Sequence, residues 1–490
     1  MSPFPQRRGR RNTGNDVSEP VTPDRSNGWK VWALFAYAFC MTSGYVSCRT
    51  VGDGLFLHRL GAEKLPAMYL VAAAAVGLGT FLYGKVAARR SLEYVVAATH
   101  VTLAGLTWWL EHLTRTHPDL TAPIAAVYLL AELRGALGSI HFATLLHEVF
   151  PDGLPAHVPA LSGLGSTLAG MVFGVAIGLV THAVGAPRLL EIAAAMDLAI
   201  AALLSALATH LIKARRSGSP ANDASARPAM METPPSLLHV TTKDDPAGAA
   251  ATSGTEGHNG PGGSEEPAAT GDLSATPRPP RNWRSVPRAA RWIATIVVLR
   301  SFLVLLVDFH WKTVTDVVID ATPSAEASLT AYFGWFYGVL FALTGLTQLT
   351  VSGTVIRTLG TRRSAAVFPS ATLLVVLVAA LFPTRWMLWG AMTVKVMDVL
   401  RRSVADHAIQ LAYRAVPEPD RRWTIAVIGG WVKPTAEAIA AAVLIEHTAL
   451  GHSVTWLRAL IVLCCLMWLV LTLHRPRRKR SSNTPRAVRT

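Results

Sequence analysis

Arg49-Thr-Val-Gly-Asp53, inside an apolar stretch near the start of the chain, returns in the second half as Lys312-Thr-Val-Thr-Asp316. A second echo keeps step with it: Glu132 and His141, nine residues apart, reappear as Asp398 and His407 at the same spacing. Each copy of that pair is followed ten residues on by a proline, Pro151 and Pro417. A charge at the middle of a membrane helix costs about 2.5–3.5 kcal/mol on insertion scales. Charges retained at matching depths of a duplicated apolar bundle therefore mark a shared central pathway.

Composition agrees with a membrane class. The 490 residues are 51% hydrophobic and only 16% charged, against about 25% charged in soluble domains, and the mean hydropathy is +0.34. The net charge of +15 is concentrated at the flanks, in Arg7-Arg8-Gly9-Arg10-Arg11 and Arg475-Pro-Arg-Arg-Lys-Arg480. Basic flanks of this kind satisfy the positive-inside rule. No aromatic residues interleave with them to stack bases, so a nucleic-acid partner is not expected. The partners expected are membrane lipid and a small-molecule solute.

A membrane helix needs roughly 20 mostly apolar residues, and twelve stretches qualify. Six lie near 31–50, 65–84, 92–110, 120–147, 158–182 and 189–212; six more near 290–310, 328–353, 363–382, 386–413, 424–446 and 455–474. The chain thus divides into a basic arm (1–30), a first six-helix half (31–212), a linker (213–289), a second six-helix half (290–474) and a basic tail (475–490). The linker is rich in Pro and Gly and poor in aromatic residues, too polar to offset its ordering entropy, and is expected to be disordered. Lys and Arg crowd the loops that would share a side with the termini, which predicts a multi-pass inner-membrane protein with both ends cytoplasmic. The predicted fold is an all-α polytopic bundle of two homologous six-helix halves, the major-facilitator arrangement.

The tenth stretch carries the densest charge. Lys395, Asp398, Arg402 and Asp406 recur at helical steps and share one stripe, with Arg401 beside them. An unpaired set would threaten insertion, so these groups neutralise one another or face water. Glu132, with Arg134 two positions on, lies at the corresponding depth of the fourth stretch, and its own stripe is built of small residues, Gly135, Ala136, Ser139 and Ala143. Such a stripe suits close packing or a cavity wall. The candidate solute-binding residues are Glu132, Arg134, Lys395, Asp398, Arg401, Arg402 and Lys433, the last beside Pro434 with Glu437 one turn on. Arg49/Asp53 and Lys312/Asp316 read as gating pairs near the outer ends of the first and seventh stretches, supported by Asp308. His141 and His407 are either titrating groups or hydrogen-bond donors between helices.

Enzymatic readings find no support. Gly163-Leu-Gly165-Ser-Thr-Leu-Ala-Gly170 superficially suggests a nucleotide loop, but it lies in an apolar stretch and lacks the following Lys-Ser/Thr. Close helix packing explains it better. Cys40, Cys48, Cys464 and Cys465 have no metal or disulfide spacing. No cofactor and no metal site are expected.

These motifs resemble those of the nucleotide transporter family, the ATP:ADP antiporters of plastids and obligate intracellular bacteria, and more closely its uncharacterised bacterial relatives. The text from Arg49 through Asp53 to Gly61-Ala-Glu63 is similar to the family's first-span signature. Ala131-Glu132-Leu-Arg134-Gly135 is similar to its Ala-Glu-Leu-Trp-Gly, and Asp308-Phe-His-Trp-Lys312 to the Asp-Tyr-x-Phe-Lys of the relatives. The stretch from Lys395-x-x-Asp398 through Ala412-Tyr413 to Lys433 follows the family's longest block. The resemblance implies a major-facilitator fold and exchange of phosphorylated nucleotides, and it carries over to Arg49, Asp53, Glu132 and Lys433. Gly52 stands where the family has a lysine, Ile409-Gln410 where it has Lys-Glu, and Arg134 where it has tryptophan.

The function expected is secondary transport of a small anionic or zwitterionic solute by alternating access. Two alternatives stand beside it. One is proton-driven export of a small metabolite, which requires a pH gradient. The other is a non-transporting scaffold or receptor, which would fail on deletion of residues 217–280.

Overall fold

The computed structural model describes residues 25–87, 92–150, 157–217, 286–319, 325–381, 386–417, 421, 424–425 and 427–474. The basic tail, most of the basic arm and linker, and Pro151 lie outside them. The described residues from 25 to 209 and from 286 to 474 belong to one compact unit, and 210–217 fall outside it. Everything below concerns that unit.

Helix stands at each of the twelve expected positions, as it must where lipid offers no partners to backbone N–H and C=O groups. The first half contains α1 (Arg25–Leu60), α2 (Leu65–Ala87), α3 (Leu92–Thr116), α4 (Thr121–Val149), α5 (His157–Val184) and α6 (Leu190–Ser217). The second contains α7 (Arg288–Ile319), α8 (Ala325–Ser364), α9 (Val367–Ala379), α10 (387–412), α11 (Ile428–Ala449) and α12 (Val454–Leu473). Among the described residues nine helices are both long and apolar enough to cross a membrane. The protein is an all-α, multi-pass membrane protein. Successive spans reverse direction, so the start of α1 and the end of α12 mark one face, here the terminal face; the α1–α2 and α7–α8 turns mark the opposite face.

Three local features position the charged groups. First, α1 continues ten residues past the expected limit and ends at Gly61, whose φ of 80° no side-chain-bearing residue adopts cheaply. Arg49 and Asp53 are therefore interior residues of a helix, not residues at its end. Second, three spans contain a turn of π-helix: Gln348–Ser352 in α8, Arg401–Ala405 in α10 and Ile428–Val432 in α11. Each inserts an extra residue into the helical register, and in α10 the inserted turn begins at the paired arginines. Third, α5 and α8 cross at backbone contact. A Cβ on Gly174 would collide with the Gly338 amide nitrogen, and one on Gly178 would meet the Trp335 ring at 2.6 Å. Gly165 and Gly170, in the glycine-rich segment of α5, face the Phe35 carbonyl and the Phe341 ring. They serve helix packing, which small residues permit in the absence of a hydrophobic drive between spans.

Candidate functional site: an ion-pair network between the halves

Arg49, Asp53 and Glu132 from the first half meet Asp308, Lys312 and Lys395 from the second in one buried network. Lys312 Nζ lies 2.7 Å from Asp53 Oδ1 and 3.0 Å from Asp308 Oδ2. Asp53 also accepts from Arg49 Nε at 3.0 Å and from the Tyr337 hydroxyl at 2.7 Å. Asp308 accepts from Lys395 at 2.6 Å and from the Tyr69 hydroxyl at 2.9 Å, with Arg49 Nη2 at 3.6 Å. Arg49 reaches Glu132 through Nη1. Tyr128 lies beneath the two central cations, its ring 5.0 Å from the Arg49 guanidinium and 5.1 Å from Lys312 Nζ.

Three cations and three carboxylates thus cancel. Removing one leaves the network a net charge in low dielectric, but Asp53 and Asp308 each accept from several donors and so keep partners when a single cation is lost. The pairs that join the halves, Lys312–Asp53, Arg49–Asp308 and the Tyr337 and Tyr69 hydroxyl bonds, hold only while α1 and α2 stay together with α7 and α8.

Toward the terminal face the charge continues in a second cluster within the second half. Asp398 receives Arg401, through Nε and through Nη2 at 3.0 Å, and Arg402 Nε at 2.9 Å. Asp406 receives Arg401 Nη1 at 3.0 Å and Arg300 Nη2 at 2.9 Å. Arg401 and Arg402, adjacent in sequence, both reach Asp398 because they follow it by three and four residues, the spacings that share one helix face. Here three arginines face two carboxylates, an excess of one positive charge. On α11, Lys433 sits 3.7 Å from Glu437, its side chain 46% exposed.

Exposure follows depth. Asp53 and Lys312 are sealed; Glu132, Arg402, Asp406 and Glu437 are about a quarter to a third open. The closed side is covered by further contacts between halves at the opposite face. Arg59 Nη2 meets Glu326 at 2.9 Å, and the Ala62 amide donates to Asp316 at 3.0 Å.

The sequence-derived residues therefore separate into groups. Arg49, Asp53, Glu132, Asp308, Lys312 and Lys395 converge, and the division of them into outer gating pairs and a separate central site does not match the geometry. Lys312 turns to Asp53 and Asp308, one helical turn back and across the interface, while Asp316 faces the α1–α2 turn. Asp398, Arg401 and Arg402 form the adjoining cluster.

Arg134 is elsewhere. It is buried among α3, α4 and α6, with Nη2 2.5 Å from Asp197 and 2.7 Å from Thr107 Oγ1. Asp197 also meets His100 Nδ1 at 2.9 Å. His141 packs its ring against His100 and Tyr83 in the same region, at 5.5 and 4.8 Å between centroids, and His407 is exposed. Arg300, Asp197, His100 and the three network tyrosines were not singled out from sequence. Arg300 sits as an isolated charge in an apolar run, and Asp197 likewise; both could have been found as intramembrane charges lacking a local partner.

No protein-family profile matches the chain, and no curated protein matches it in sequence. Solved structures do match in fold. The nucleoside transporter NupG aligns with a TM-score of 0.55 at 13% identity, covering 90% of this chain and 97% of that one. A bacterial homologue of the iron transporter ferroportin in an inward-facing state aligns at 0.56 and 13%, covering 91% and 98%. A POT family transporter in complex with a thioalcohol-conjugated peptide aligns at 0.53 and 11%, covering 91% and 95%. The chain shares its fold with these transporter structures over nearly its whole length.

Proposed function

We propose that the chain is a secondary active transporter that moves a small anionic or zwitterionic solute by alternating access. The observation that carries this reading is the balanced ion-pair network shared by the halves, sealed toward one face and opening toward the other. Such a network is a bistable element. Its pairs form when the halves close at the opposite face and must find other partners when they part. A solute bearing an anionic group supplies those partners by drawing Arg402, Lys395 or Lys433 away from its carboxylate. Asp398, Asp308 and Glu437 are the carboxylates so released.

Cargo does not follow from architecture, since the similar structures carry names that mention nucleosides, iron and peptides. Phosphorylated nucleotides and sugar phosphates are the first class to try. The motif resemblance at Arg49, Asp53, Glu132 and Lys433 supports them, and so does the positive excess around Arg300, Arg401 and Arg402. The inner membrane, with both termini cytoplasmic, is the location that fits the basic flanks.

The test is a thermal-shift screen of detergent-purified protein followed by counterflow of each hit in proteoliposomes. A ligand at a hundred times its dissociation constant stabilises by about 2.7 kcal/mol. A phosphorylated hit that exchanges across the bilayer, and fails to do so in Arg402→Gln, supports the reading. A hit whose uptake needs only an imposed pH gradient and survives Arg402→Gln replaces it with proton-driven export. Binding without any flux under either condition rejects transport.

A further inference from the structure

The two interfaces between the halves are unequal. Where α5 crosses α8 the backbones touch. Where α2 faces α11 a cleft of about 810 Å³ remains, lined by Leu70, Ala74, Leu78 and Phe81 from α2 and by Trp431 and Ala438 from α11. At Gly77, on this side of α2, a Cβ would stand 4.0 Å from Pro434 Cβ. Two features of α11 widen it. Pro434 has no N–H to give to the preceding turn, and the π turn Ile428–Val432 lies directly before it. The cleft walls are mainly apolar, with Thr80, Thr435 and Lys85 the polar exceptions, a lining that suits hydrocarbon better than water.

One end of the cleft is different. The apolar window of α2 ends at Tyr83, and Lys85 follows it, exposed, with its ammonium 4.5 Å from the Phe81 ring centroid. Trp431, 68% exposed, stands near the start of the apolar window of α11 on the same face. A cation and an indole at the ends of their apolar spans lie at headgroup depth. Lys85 has no carboxylate partner among the described residues.

We propose that this cleft is a binding site for one anionic phospholipid, with an acyl chain lying between α2 and α11 and the phosphate at Lys85 beside Trp431. The lipid then forms part of the interface between the halves, and the α2–α11 side is its adjustable edge. The inference is independent of which solute is carried.

Native mass spectrometry of the full chain, titrated with phosphatidylglycerol or phosphatidylcholine, tests it. One phosphatidylglycerol should be retained, preferred over phosphatidylcholine by about fivefold, the effect of one lysine at a membrane surface. Lys85→Gln should remove the preference while leaving retention of both lipids. Ala74→Phe, at an exposed position on the cleft wall, should cost retention of both lipids without affecting folding, checked by its elution and melting temperature. Equal retention of the two lipids by the unaltered protein would overturn the charge assignment. A preference that persists in both variants would place the lipid elsewhere and overturn the site.

Discussion

Two buried charge clusters in this molecule use the same chemistry in different places. Arg134, Asp197 and His100 pair within the first half, among α3, α4 and α6. Lys312, Asp53, Arg49 and Asp308 pair across the two halves. The first cluster is kept intact by any rigid-body motion of the halves; the second is broken by it. Burial and bond length do not distinguish them, but topology does. A charge cluster confined to one half fixes its structure, whereas one shared by both registers their relative position.

The sharpest way to break this comparison is to strand a charge in the first cluster. Asp197→Ala leaves Arg134 buried without its carboxylate, and should cost about 3–5 kcal/mol of stability, read as a lower melting temperature in detergent. Adding Arg134→Met should return most of it. Next in size is Gly174→Leu at the α5–α8 crossing, where the new side chain meets the Gly338 backbone. Overpacking of this kind costs about 1–3 kcal/mol, and here it should also lower flux, since the halves can no longer close on one another.

Lys312→Gln should affect stability less than Asp197→Ala, because Asp53 retains Arg49 and Tyr337 and Asp308 retains Lys395 and Tyr69. Its flux, measured by counterflow once a solute is found, should fall by an order of magnitude or more, corresponding to at least about 1.4 kcal/mol. Equal losses of stability and flux in Lys312→Gln and Asp197→Ala would erase the distinction between the clusters. The smallest effect belongs to Arg59→Gln. Its pair with Glu326 is partly exposed, worth about 0–1 kcal/mol, and its loss should change the closing rate more than the melting temperature.

Much of the fold was legible because hydropathy needs only local information. Runs such as those around Val71 and Leu460 are spans whatever their neighbours, and the linker separates the halves by composition alone. The site was legible in its members more than in its connections. Arg49-Thr-Val-Gly-Asp53 reads as the polar end of a span, since nothing nearby shows that Lys312, Tyr337 and Asp308 arrive from the other half to make its burial tolerable. The repeat itself misled at Asp316. It echoes Asp53 in sequence, yet α1 continues past Asp53 into the closed interface, while Asp316 comes to lie against the α1–α2 turn. Arg134, grouped in the sequence reading with Glu132, stands two positions from it and so on another face of α4, where its partner Asp197 arrives from two spans away. The π turn at Arg401–Ala405 has no sequence signature.

The account stands most directly on whether the shared network holds the opposite face shut. Spin labels at Thr116 and Ser453, exposed at that face on opposite halves, would report their separation by double electron–electron resonance, in a background lacking the four native cysteines. The account predicts a single short distance in the otherwise unaltered protein, and a second, longer population when Asp53→Asn and Lys312→Gln are combined. Identical distance distributions in the two proteins, both folded by melting temperature, would contradict it, leaving the α5–α8 crossing as the closure and the network as structural charge.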